Sequence, residues 1–187
     1  MLLDWWPKAQ FIHLIRDGRD VVLSMFNRRH DFGLYNTYCA AKEWQRYVEI
    51  GHALGQQIPK DQYLEVRYED LICDPRATLQ TLCAFLREPY TEALLYYKKA
   101  GQAGKTPLLQ KPLDPSNREK WRQAMSPWQI RTFEAAAGET LVRFGYPLLT
   151  SAKPLSFFLR AGFRLHQALA CRWYQNFGPK KHRWTYT

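Results

Sequence analysis

The hydrophobic and polar positions of this chain switch between two periods. Phe11-Ile12-His13-Leu14-Ile15 is a short, mostly apolar run, and a Gly-centred turn follows it at Arg16-Asp17-Gly18-Arg19-Asp20. A run of that length ending in a turn reads as a buried strand. The pattern then turns helical from about Arg19 to Arg29, and His30 to Gly33 break it. A longer helix, about Tyr35 to Leu54, places Tyr38, Ala41, Trp44 and Val48 on one face. Tyr63-Leu64-Glu65-Val66-Arg67-Tyr68 reads as a second strand. Asp74 then caps a helix with Pro75 at its first position, and Leu79, Leu82, Cys83 and Leu86 follow at helical spacing.

From Gly101 to Asn117 the chain is rich in Gly, Pro and Lys, lacks periodicity and reads as a loop. Ser126-Pro127-Trp128-Gln129 forms a capping box. Its helix carries Ile130, Phe133, Ala137, Leu141 and Phe144 on one stripe and stops at Gly145-Tyr146-Pro147. After Lys153-Pro154 a basic amphipathic helix is expected over about Leu155 to Phe177. Phe158, Leu165, Leu169 and Trp173 share one side of it, with Arg160, Arg164 and Gln167 on another. The apolar stripe is expected to dock on the rest of the protein, where burial offsets the entropy of ordering the helix. The pattern divides the chain into a domain over 1–150 and a helix with a basic tail over 151–187. Two strands joined by helical crossover material indicate a parallel α/β sheet. Two are few for a sheet normally covered on both faces.

Charge narrows the partners. The 187 residues hold 27 Lys and Arg against 17 Asp and Glu, a formal net charge of +10. Such a field attracts anions, and nucleic acid, an anionic membrane, an acidic protein and a phosphorylated nucleotide all satisfy it. Cys39, Cys73, Cys83 and Cys171 are widely separated, with no CxxC pair and no His at zinc-ligand spacing. They read as buried free thiols of a reducing compartment, and no metal is implied. Met1 to Gln10 has no apolar core, and no run approaches the ~20 apolar residues of a spanning helix. A soluble or peripheral, cytoplasmic protein is the expectation, with a peripheral membrane or Golgi-lumen location as the alternative.

The chemistry concentrates at the first strand end. Arg16 stands at its carboxyl end and Ser24 lies inside the following helix. A strand feeding a helix N-terminus offers backbone N–H groups to an anion, an Arg there can grip phosphate in bidentate fashion, and a hydroxyl can add a bond. This stretch resembles the 3′-phosphate-binding motif of sulfotransferases that use 3′-phosphoadenosine 5′-phosphosulfate (PAPS). Glu65-Val66-Arg67-Tyr68-Glu69-Asp70-Leu71, followed by Asp74-Pro75, resembles the strand-end YED element of the same family. There the Tyr reaches the adenine, which implies that role for Tyr68. Lys111-Pro112, Lys120-Trp121 and Leu141 to Tyr146 look like the C-terminal part of tyrosylprotein sulfotransferases and related bacterial enzymes. In those a Lys-Trp loop folds over the nucleotide, and a basic position matching Arg28 contacts it.

The resemblance covers about Trp6 to Pro147. It implies a P-loop-NTPase-like three-layer sandwich with a central parallel sheet, and transfer of a sulfuryl group from PAPS to a hydroxyl or amine. The acceptor is then a small molecule, a glycan or a protein tyrosine, and no nucleic-acid partner is expected. Arg16, Ser24, Arg28, Tyr68, Lys120 and Trp121 are the implied nucleotide-binding residues. The sequence departs from the pattern where Glu119 precedes Lys-Trp in place of a Ser, and where the Arg-Lys-Gly triplet of the cytosolic branch is absent. Neither the family's first strand and phosphosulfate loop nor its general base is matched ahead of Phe11. The chain therefore reads as N-terminally incomplete, with little transfer expected from it alone and no catalytic residue assigned. A catalytically dead nucleotide- or partner-binding remnant and a basic membrane- or nucleic-acid-binding module are the rival readings. Gly101-Gln102-Ala103-Gly104-Lys105-Thr106 mimics the end of a Walker A loop, but Lys99 stands where its first Gly belongs. His13 reads as a hydrogen-bonded core residue and His52 as a surface one.

Overall fold

The computed structural model describes residues 2–27, 33–96, 113–151 and 153–178. The Walker-like segment, Lys111-Pro112 and Arg28 lie outside the described residues. In chain order the elements are α1 (Leu2–Trp5), β1 (Phe11–Ile15), α2 (Gly18–Asn27), α3 (Thr37–Gly55), β2 (Tyr63–Arg67), α4 (Tyr68–Cys73) and α5 (Pro75–Leu86). A 3₁₀ turn (Glu92–Tyr96) and the helices α6 (Trp121–Ala124), α7 (Pro127–Arg143) and α8 (Phe157–Phe177) complete them. Tyr68, read as the end of the second strand, opens α4 instead.

The chain forms two compact units interleaved along the sequence. The first comprises Met1–Asp17 and Tyr47–Lys120, the second Gly18–Arg46 and Trp121–Thr187. Helix α3 contributes its first half to the second unit and the rest to the first.

In the first unit β1 and β2 pair in parallel, with Phe11 opposite Tyr63 and Ile15 opposite Arg67. Ile15, Val48, Val66, Ile72 and Cys83 are its buried apolar residues. The end of α3 lies close against the strands because it carries glycines there. A Cβ on Gly51 would stand 2.6 Å from the His13 ring, and one on Gly55 would overlap the Tyr63 ring. Asp74 caps α5 as its sequence promises, accepting from the Ala77 N–H at 3.0 Å.

The core of the second unit joins Tyr38, Ala41 and Trp44 of α3 to Phe133, Ala137 and Leu141 of α7. The Trp44 and Phe133 rings sit 5.7 Å apart, and both crowd Gly18, where any Cβ would collide with them. Ser126 and Gln129 complete the capping box of α7. The helix departs from helical geometry at Ala137 and ends at Gly145, whose φ of 78° is open to glycine at little cost.

Two expectations need correction. Helix α8 docks by a different side from the one its apolar stripe suggests. Phe163 stacks on Tyr38 with ring centroids 5.4 Å apart, and Gln167 Oε1 accepts from the Tyr35 N–H at 3.0 Å. The Phe163 carbonyl accepts from Asn36 Nδ2 at 3.0 Å. Phe158, Leu165, Leu169 and Trp173 point to solvent. The physical reason is that one ring stack plus several hydrogen bonds to the 33–38 segment anchor the opposite face. The cysteines are free thiols, but only Cys83 is buried: Cys39 and Cys171 are half-buried and Cys73 is exposed.

Candidate functional site

The segment Arg16 to Asp20 separates into a half-buried cation and a set of buried ties. Within the first unit the Asp17 N–H donates to Glu69 Oε1 at 3.0 Å, which locks the end of β1 to the start of α4. Within the second unit Arg19 is wholly buried, and its Nη1 donates to Glu134 Oε1 at 2.7 Å. Glu134 also accepts from the Leu149 and Thr150 N–H groups and the Thr150 hydroxyl, so its carboxylate is fully used. Asp20 accepts from the Trp121 N–H at 3.0 Å. Of the motif's charged residues, only Arg16 keeps part of its side chain accessible.

Arg16 meets Tyr68, a contact that the sequence did not announce. Its guanidinium carbon stands 4.5 Å from the centre of the Tyr68 ring, within cation–π range. Arg16 Nη2 donates to the Asn117 carbonyl at 2.8 Å, and Asn117 Nδ2 donates to the Tyr68 hydroxyl at 2.6 Å. The three residues therefore brace one another, Asn117 through both its carbonyl and its side chain. Asn117 is in place because Asp114-Pro115-Ser116-Asn117 is a tight turn: the Asn117 N–H donates to the Asp114 carbonyl at 2.9 Å, with Pro in the favoured second position. Sequence reasoning passed over Asn117. Its one signal was that Asp-Pro-Ser-Asn turn chemistry, which says nothing of a contact over 101 residues to Arg16.

The other candidates divide. Ser24 is exposed on α2 in the second unit, and Lys120 is exposed at the end of the first. Glu119 before it takes a left-handed backbone, φ 54°, an unusual conformation for a residue with a Cβ. Trp121 is fully buried in a cluster with Met125, Ile130 and Leu23, and the Arg19 guanidinium lies 3.7 Å from its ring centre. A covered indole offers no face to a nucleotide, so in this structure Trp121 anchors the chain next to Lys120.

A second polar cluster, unforeseen as a unit, lies in the first unit. His13 Nδ1 and the Tyr63 hydroxyl are 2.7 Å apart, the Tyr63 O–H donates to Glu65 Oε1 at 2.7 Å, and His52 Nδ1 meets the same oxygen at 2.8 Å. His52 is thus half-buried and bonded, not a surface residue. Burial lowers the His13 pKa against the opposing pull of Glu65. Burial pushes the Glu65 carboxyl up, but hydrogen bonds from Tyr63 and His52, with the nearby imidazoles, outweigh it and leave the pKa lowered. Burial and Glu65 together raise the Tyr63 phenol. The cluster borders a mostly apolar cleft of about 600 Å³, lined by Phe11, Ile12, Leu54 and Ile58 among others. Among the described residues no group of His, Cys, Asp and Glu is arranged to hold a metal ion.

Comparison with known proteins points to one family. Residues 1–92, which hold β1, α2, β2 and most of the Arg16–Tyr68 pair's surroundings, match the model of the sulfotransferase family. That match takes in just under half of the chain. Over 154 residues the chain is 29% identical to protein-tyrosine sulfotransferase 1 of Danio rerio, covering 75% of this chain and 43% of that protein. The protein-tyrosine sulfotransferase of Drosophila melanogaster is 28% identical over 101 residues, 52% of this chain and 20% of its own length. The chain therefore spans less than half of either relative.

Among solved structures, the sulfotransferase domain from the Synechococcus PCC 7002 olefin synthase superposes with a TM-score of 0.57 at 30% identity, over 75% of this chain and 50% of that one. The sulfotransferase domain from the curacin biosynthetic pathway shares the fold, with a TM-score of 0.64 at 23% identity over 75% of this chain and 55% of that one. The α/β fold with a parallel sheet is accordingly that of sulfotransferase domains.

Proposed function

We propose that this chain belongs to the sulfotransferase family and binds the adenosine 3′-phosphate end of PAPS through Arg16 and Tyr68, as part of an enzyme that sulfates a hydroxyl group. The carrying observation is the Arg16 guanidinium seated 4.5 Å over the Tyr68 ring at the carboxyl end of β1. A planar fork of N–H donors suits a phosphate monoester, and the adjacent aromatic suits a purine. Ser24, Arg28 and Lys120 join this assignment on the sequence resemblance alone.

In the transfer itself the acceptor oxygen would attack sulfur in line as the bond from sulfur to the bridging phosphate oxygen breaks. The acceptor proton passes to a base, and adenosine 3′,5′-bisphosphate departs. Arg16 and Tyr68 serve that chemistry by positioning the donor, a contribution that holds reacting atoms in line. A tyrosine hydroxyl is the favoured acceptor, because the relatives that the chain resembles are named for protein tyrosine.

Calorimetry with adenosine 3′,5′-bisphosphate and with AMP tests the binding half. The bisphosphate should bind at least about tenfold more tightly, and Arg16→Ala should abolish that preference, as loss of a charge-assisted hydrogen bond requires. Equal affinity for the two nucleotides in the unsubstituted chain would sink the assignment.

A further inference from the structure

We propose that the cleft between α1, β1 and the end of α3 is a binding site for a neutral alcohol with an apolar chain, whose hydroxyl donates to His13 Nε2. The cleft lies within the first unit and holds about 600 Å³, with Phe11, Ile12, Leu54 and Ile58 in its apolar wall. That size, with a mostly apolar lining and a few convergent polar groups, suits a small molecule. It stands at the amino end of the sheet, where Phe11 pairs with Tyr63, whereas Arg16 and Tyr68 follow the carboxyl ends of the strands. The site is therefore separate from the nucleotide assignment and does not rest on it.

The polar cluster fixes what His13 offers to that cleft. The Tyr63 phenol has one proton to give, and the Glu65 carboxylate 2.7 Å away is a stronger acceptor than the Gly51 carbonyl at 3.0 Å. With that proton engaged, the phenol oxygen accepts from His13 Nδ1 at 2.7 Å, so Nδ1 carries the imidazole proton. Burial lowers the His13 pKa and keeps the ring neutral. Nε2 then holds a lone pair, and among the described residues no donor reaches it. Gly51 leaves that edge of the ring open, since a Cβ there would stand 2.8 Å from Nε2. Both residues line the cleft, and the His13 side chain is 18% exposed.

An uncharged acceptor selects a neutral donor. Among the described residues the wall has no Lys or Arg for an anion, and Glu65 stands outside it. Asp4 is its one charged side chain, exposed on α1 and engaged in an interaction of its own. The rest of the wall answers an alkyl chain.

The test is an NMR titration of the full chain, its histidine nitrogens isotope-labelled, with n-octanol and with n-octyl fluoride, which matches it in size but cannot donate. The His13 signals are identified by their loss in His13→Gln. Without ligand, His13 Nε2 should resonate as an unprotonated ring nitrogen. Octanol should shift that signal and bind at least about tenfold more tightly than the fluoride, as the gain of one hydrogen bond requires. Leu54→Trp, at a half-exposed wall position, should fill the cleft and abolish octanol binding. A protonated Nε2, equal affinity for the two probes, or octanol binding that survives Leu54→Trp would overturn the proposal. So would tighter binding of octylamine, which would move recognition to Asp4, or of octanoate, which would require a charged His13.

Discussion

Arg19 and Glu134 lie 115 residues apart and form an ion pair with no solvent exposure on either side chain, Nη1 to Oε1 2.7 Å. In sequence Arg19 belongs to the same charged turn as Arg16. In the folded chain one cation is a wholly buried tie, and the other is half-buried against Tyr68 and Asn117.

That pair sets the first prediction. Glu134→Ala leaves the Arg19 charge buried without its carboxylate and also strands the Thr150 and Leu149 donors. It should destabilise the chain by about 3–5 kcal/mol, the range for breaking a buried pair from one side. Urea denaturation measures it. A loss under about 1 kcal/mol, the level of an exposed pair, would show that water reaches the site.

Gly18 gives a packing prediction. An added methyl would overlap Trp44 and stand 2.6 Å from the Phe133 ring, and both rings are buried. Gly18→Ala should cost at least about 1–3 kcal/mol, as overpacking does. An unchanged melting temperature would mean that the two rings have room to move apart.

Tyr68 separates the ring from its hydroxyl. Tyr68→Phe removes only the bond from Asn117 and should lower nucleotide affinity by no more than about tenfold, one ordinary hydrogen bond. Tyr68→Ala also removes the surface under Arg16 and should lower it further. Calorimetry with adenosine 3′,5′-bisphosphate distinguishes them, and equal losses from the two substitutions would refute a role for the ring.

The His13–Tyr63–Glu65–His52 cluster predicts sensitivity to acid. His13 and Glu65 both have lowered pKa values in the fold, so the unfolded chain binds protons more readily than the folded one. Their contribution is complete above the unfolded values. It is lost first as pH falls below the ordinary histidine value of 6.5, and then again below the ordinary Glu value of 4.5. Denaturation midpoints across that range should fall with acid, and His13→Gln should flatten the upper part of the decline. A midpoint that rises on acidification through pH 6.5 would contradict the sign.

Periodicity and capping by themselves determined the local elements. The five-residue run at Phe11, the Asp74-Pro75 and Ser126–Gln129 helix starts and the buried faces of α3 and α7 follow from side-chain spacing and the needs of unpaired backbone groups. The sequence placed Arg16 and Tyr68 each beside a predicted strand end, but their contact shows only in the paired strands. Only the tertiary structure decided which residue of the charged turn is buried, that Trp121 is covered by Arg19, that Asn117 closes on Arg16, and which side of α8 is anchored. Each of these depends on a partner distant in sequence. Spacing along a helix or strand orders only near neighbours, whereas burial of a charge or a ring is settled by whatever arrives opposite it.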